Sequence, residues 1–219
     1  MSTLLYLLQL ASPSLPVGAY SYSEAIETLV SQEKITNAVT LERWIKAELK
    51  WGSIGLDVAI ISRLYSDDSS RLDYWNSWLS AVRETQELKE QSHQMGFSLL
   101  RLISTIEPVL ASQLNEQLNQ EEVNFAIAYS ALASYWQISV EDAILGYLHS
   151  WVSNLVAAGL KLIPLGQSEA QKILLSLAPS IIDKAQYILT TKELPYSCSW
   201  GLSLASMEHA NLYSRLFRS

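Results

Sequence analysis

The sequence predicts an all-α fold: a single-domain bundle of roughly eight to ten helices with a partly flexible C-terminal tail. Three observations predict it. Apolar residues recur at three- and four-residue intervals through most of the chain, the spacing that lines one face of a helix. No run of alternating β-branched residues is long enough to suggest a sheet. Short turns bearing Pro, Ser and Asp separate the periodic segments, and such residues start or stop helices. With 219 residues, 49% of them hydrophobic, the chain is long enough to bury one sizeable core.

Taken in order, a short helix is expected over 3–11, broken by Ser12-Pro13-Ser14-Leu15-Pro16-Val17-Gly18. The two prolines remove backbone donors, and Gly18 permits a turn closed to other residues. A second helix is expected from Ser21 or Ser23 to about Gln32, and a third after Thr40 as N-cap. Leu41, Trp44, Ile45 and Leu49 follow its period, as do Val58, Ile61 and Leu64 beyond an interruption at Gly52 and Gly55. A fourth spans about 69–88 with Leu72, Trp75, Leu79 and Val82 on one face, and a fifth about 89–105, stopped by Pro108. Segment 121–136 is amphipathic. Ser139 caps the next helix, about 140–162, whose Leu155, Val156, Ala157, Ala158, Leu160 and Leu162 cover much of its circumference; it belongs at the centre or at a dimer interface. Pro164 ends it, Ser168-Glu169-Ala170-Gln171 fits a capping box for another, and Pro179 is expected as the next break. Residues 1–192 thus read as the helical domain and 193–219 as a C-terminal loop and partner-docking tail. Leu204, Met207, Leu212, Leu216 and Phe217 make that tail apolar, so it needs a cover, either its own domain or a partner.

Composition narrows the function. A net charge of −7 with scattered Lys and Arg leaves no footprint for nucleic acid and none for an anionic membrane. The apolar start Leu4–Leu8 lacks a leading basic residue, the first being Lys34, so no secretory leader is expected. The stretch from Trp151 to Leu165 is broken by Asn154 and Lys161, too short and polar for a bilayer span. Cys198 is the lone cysteine, which fits a cytoplasmic, reducing location. Seven Trp and eleven Tyr in a chain only 17% charged suit a large core or an interface.

Catalytic and metal-binding motifs are weak. No P-loop and no Gly-x-Ser-x-Gly elbow occurs. His93, His149 and His209 lie far apart, without metal-ligand spacing, and nothing adjacent activates Cys198. Asp67-Asp68-Ser69-Ser70-Arg71-Leu72-Asp73 has the spacing by which helical prenyl-transfer enzymes hold magnesium and diphosphate. Such enzymes need a second aspartate-rich motif, whereas Asp57, Asp142 and Asp183 are isolated, and Asp and Ser also suit a helix start. The expectation is therefore no enzyme, no cofactor and no metal site. A prenyl-transfer-type enzyme using Asp67, Asp68 and Asp73, or an unrelated helical adaptor, stand as alternatives.

Three segments carry a resemblance. The first is Ser12-Pro13-Ser14-Leu15-Pro16-Val17-Gly18-Ala19-Tyr20-Ser21-Tyr22-Ser23, closing with Glu27; the second is Pro164-Leu165-Gly166-Gln167 with Gln171-Lys172. The third is Met207-Glu208-His209-Ala210-Asn211-Leu212-Tyr213-Ser214-Arg215-Leu216-Phe217-Arg218-Ser219. In this order they resemble the urease accessory protein F family, from Leu4 to Ser219. Two departures are visible: the family's Gly-Leu-Glu reads Ala25-Ile26-Glu27, and Leu204 stands where an acidic residue is usual.

The resemblance implies an all-helical, non-catalytic homodimer that joins accessory protein D (called H in some systems) and the GTPase accessory protein G. Their assembly delivers nickel to apo-urease, and the family member regulates the GTPase and organises the complex. Physics and resemblance together nominate partner-binding residues. Tyr20 has a hydroxyl to fix the Pro-rich turn and a ring to pack. Arg215 is a five-donor fork suited to a carboxylate or backbone carbonyls, and His209 supplies a polar contact. Leu212, Tyr213, Leu216 and Phe217 complete the set, the large apolar side chains supplying roughly 1.5–3 kcal/mol each when fully buried. Leu145, His149 and Trp151 on the 140–162 helix are the expected dimer interface.

Overall fold

A computed structural model of the protein describes residues 2–66, 71–191 and 193–218. Among these residues there are eleven α-helices and no strand. They are α1 (Thr3–Leu10), α2 (Ile26–Ser31), α3 (Ala38–Trp51), α4 (Ile54–Leu64), α5 (Leu72–Val82), α6 (Gln86–Ile106), α7 (Pro108–Gln117), α8 (Phe125–Tyr135), α9 (Val140–Leu162), α10 (Gln167–Thr190) and α11 (Trp200–His209).

Side-chain caps set many of the starts. Asn37, rather than Thr40, caps α3; the Thr40 amide donates to Asn37 Oδ1 at 3.0 Å, and the Asn37 amide donates back to Thr40 Oγ1 at 3.1 Å. Thr85 Oγ1 accepts from the Leu88 amide at α6, and Ser139 Oγ from the Asp142 amide at α9. At α10 the cap position is Gly166, and Glu169 Oε2 reaches back to its amide at 3.3 Å.

Several elements differ from expectation for visible reasons. The second helix is short because Glu24 and Ala25 both take positive φ, 47° and 64°, so regular winding begins only at Ile26. The helix expected over 69–88 stops at Val82, because Arg83 turns extended and sends its side chain inward. Its first residues, 69 and 70, lie outside the described residues. α7 is an addition to the expected set: Pro108 does end α6, and it also occupies the first turn of α7, where a missing N–H costs nothing. Pro179 does not break α10, which runs through it. That side of the helix is exposed, at Pro179 and at Leu175 one turn earlier, the residue whose carbonyl loses its donor.

α4 is the axis of the bundle, with Val58, Ile60 and Ile61 fully buried. Against it pack α8, α9, α10 and α3, while α6 packs on α8. α9 is long and apolar enough to cross a bilayer by length and composition alone, but it is packed here against α10, α4, α1 and α2. Helix approach is close where glycine permits. A Cβ on Gly96 of α6 would lie 1.9 Å from the Val123 carbonyl oxygen, so only glycine lets that backbone through.

Candidate partner-docking surface

The segment after α10 returns across the bundle. A buried and a half-buried carboxylate hold its first part: Ser199 Oγ donates to Glu48 Oε1 at 2.5 Å, and Ser197 Oγ to Glu84 Oε1 at 3.0 Å. Desolvation of Glu48, with Glu24 and Glu84 nearby, pushes its pKa up to about 7. α11 then lies on α2 and α6, burying Leu202, Ala205, Ser206 and His209. Ser206 Oγ meets Thr85 Oγ1 at 3.1 Å, and Gln32 bonds Glu208. The opposite face of α11 is bare: Trp200 is 75% exposed, Leu204 56% and Met207 50%. Their spacing of four and three residues makes one apolar stripe along the helix.

Beyond α11 the chain runs to Glu27 of α2. Glu27 Oε2 accepts from His209 Nε2 at 3.1 Å and from the Phe217 amide at 3.0 Å, and Oε1 from the Leu216 amide at 2.6 Å. One carboxylate thereby satisfies three donors from the tail. Phe217 is only 6% exposed, with Lys161 Nζ 5.1 Å from its ring centroid. The Arg218 amide donates to the Ser21 carbonyl at 2.8 Å.

That last bond joins the tail to the turn bearing Tyr20. Gly18, at φ 77°, leads into a 3-10 turn over Ala19–Ser21 that leaves Tyr20 exposed. Behind the turn lies a buried polar network. Gln91 Nε2 and Trp151 Nε1 donate to the two oxygens of Glu24 at 3.0 and 2.8 Å. Arg83 pairs with Asp57 at 2.6 Å, and Tyr147 donates to the other Asp57 oxygen at 3.0 Å. Burial raises the Glu24 pKa, opposed by its two hydrogen bonds. This network and Tyr20 line a cavity of 170 Å³.

The nominated residues thus divide by environment. Tyr20, Tyr213, Arg215 and Leu216 are exposed around the clasped tail, and Leu212 is half-buried. His209 and Phe217 are buried within the chain, their polar or aromatic contacts made internally. On α9, His149 is exposed and Leu145 half-buried against the core, while Trp151 directs its indole N–H to Glu24. Asp67 and Asp68 lie outside the described residues; Asp73 is exposed in the first turn of α5. Among the described residues no three His, Cys, Asp or Glu side chains gather as metal ligands would. The exposed Cys198 uses its amide to bond the Trp51 carbonyl. Sequence reasoning passed over Trp200, whose spacing to Leu204 and Met207 was the available signal. It also missed the clasp at Glu27, a contact 182 residues distant in sequence from His209.

The family model described as UreF matches residues 35–178. Proteins named urease accessory protein UreF align over nearly all of the chain. That of a Nostoc species is 51% identical over 220 residues, covering 98% of this chain and 95% of the relative. The Synechocystis protein is 49% identical, covering 100% and 98%. That of Pseudomonas fluorescens is 37% identical, covering 97% of each. The chain belongs to the UreF family. UreF proteins carry the name of accessories to urease, so the chemistry of urea sits with another protein. Both the Tyr20 turn and the tail lie outside the span the UreF model matches, but inside the full-length likeness to the Synechocystis UreF.

Proposed function

We propose that this UreF-family chain is a cytoplasmic, non-catalytic scaffold and regulator in the nickel-delivery complex that matures apo-urease, bridging accessory protein D (or H) and the GTPase accessory protein G. One observation carries the reading: a helix at the C-terminal end presents Trp200, Leu204 and Met207 to solvent, and the tail that follows it, clasped in place, exposes Tyr213, Arg215 and Leu216. A bare stripe of large apolar side chains, in a segment that also exposes an arginine, is what a protein partner covers. Holding the tail in advance lowers the entropy lost when the partner arrives.

The test uses substitutions confined to solvent-facing positions. Leu204→Asp and Arg215→Ala leave helix content and melting unchanged, abolish or sharply weaken capture of accessory protein D, and lower activation of apo-urease in a reconstituted mixture. Undiminished capture and activation in both variants would remove the docking surface from the account.

A homodimer belongs to the same proposal. α1 packs on α9 and leaves Leu4, Leu5 and Leu8 exposed, α9 leaves His149 exposed and Leu145 half-buried, and a second copy would cover these positions.

A further inference from the structure

A groove between the end of α3 and the second half of α10 has no part in the function as described so far. Lys46 and Lys50 of α3 and Lys184 of α10 line it, with Trp51, Tyr187 and Tyr196 as aromatic walls, and it encloses 540 Å³. The chain as a whole carries −7, yet none of these three ammonium groups lies within ion-pair distance of a carboxylate among the described residues. Asp183 also borders the groove and offsets only part of the charge.

Lys184 is the most telling of the three. It is half-buried, and its Nζ donates to the Lys50 backbone carbonyl at 3.1 Å. Loss of hydration pushes its pKa down, the behaviour of a cation withdrawn from water without a counter-charge. Lysine offers three donors, and the carbonyl takes one. The other lysines lie along the walls: Lys50 Nζ sits 4.6 Å from the Trp51 ring centroid, and Lys184 Nζ lies 6.0 Å from that of Tyr187. A carboxylate entering here meets three ammonium donors, while aromatic faces pack against the chain that bears it.

The groove and the docking stripe are joined by one short stretch of chain. Tyr196 lines the groove and lies four residues before Trp200, where the stripe begins. The Cys198 amide ties this link to the carbonyl of Trp51, which also lines the groove. A small free anion would use the lysines and leave the aromatic walls and the stripe bare. A polypeptide with Asp or Glu beside apolar residues uses all of them. We propose that the Lys46–Lys50–Lys184 groove receives an acidic segment of the same partner that covers Trp200, Leu204 and Met207, which in the function argued above is accessory protein D. The groove thus adds electrostatic register and faster association to an otherwise apolar contact. The proposal rests on that docking reading.

The experiment measures association of the full-length chain with purified accessory protein D by calorimetry and stopped flow, at about 50 and about 300 mM salt. Lys46→Glu with Lys50→Glu is compared with Lys34→Glu plus Lys172→Glu, an equal change of net charge at exposed lysines elsewhere. The groove pair is expected to weaken binding at least about tenfold relative to that control, to slow association, and to flatten its salt dependence. Equal affinity of the two variants, or wild-type binding indifferent to salt, overturns the inference. If the groove pair melts early, Lys46→Gln with Lys50→Gln takes its place, with a loss of several-fold expected and no loss counting against the proposal. Leu204→Asp separates the two ideas. Intact binding in Leu204→Asp fails the docking reading itself, whereas loss there with full binding in both groove variants fails the groove alone.

Discussion

Glu48 is buried at the inner edge of the C-terminal return, and its carboxyl keeps a proton up to about pH 7. The folded state therefore binds that proton more tightly than the unfolded chain does. Its contribution to stability is fully present below about pH 4.5 and is lost as pH rises through about 7, a difference of about 3 kcal/mol. Glu48→Gln mimics the neutral form and can still accept from Ser199. It should melt with the wild type near about pH 5 and several degrees higher near about pH 8. Parallel melting curves across that range would show that Glu48 ionises freely in the fold. Such residues were opaque in the sequence. Nothing around Glu48 in Lys46-Ala47-Glu48-Leu49 marks it as the helical glutamate that faces inward, because its partner Ser199 lies 151 positions away. Tyr20 and Arg215, by contrast, stood out through their motifs, and the structure leaves both on the surface.

At the level of single elements, the contact between α6 and the segment entering α8 depends on Gly96. Ser92, one turn earlier, donates to Asn124 Oδ1 at 3.0 Å, and Asn124 in turn bonds Asn76 of α5 through its amide at 2.8 Å. Gly96→Ala would force a methyl into the Val123 carbonyl and spread this three-way junction. The expected cost is roughly 1–3 kcal/mol by chemical denaturation, with the slope of the transition retained. A variant as stable as wild type would mean that α6 has room to shift. Helix identity was largely legible: apolar spacing located α3, α6, α8 and α9, and the expected 140–162 element is α9 (Val140–Leu162). Boundaries failed where a distant side chain decided them. Arg83 ends α5 by reaching Asp57, and Ala25, standing where the family has glycine, takes a left-handed conformation that delays α2.

For the molecule as a whole, the exposed leucines of α1, the helix that packs on α9, offer a face for self-association. Sedimentation should give a dimer for the wild type at micromolar concentration, and Leu4→Asp with Leu8→Asp should give a folded monomer. A wild-type monomer would return that face to solvent. The all-α class was readable from composition and period, whereas the course of the tail was not, because an apolar terminus looks the same whether it covers its own domain or a neighbour. In the structure it does the first with one side and leaves the other open. The clasp at Glu27 has a mechanical corollary. Residues 216–218 are buttoned both to the short helix α2 and to the turn carrying Tyr20, so a protein that lifts the terminus also loosens the opening loop, and traction at one end of the polypeptide registers at the other.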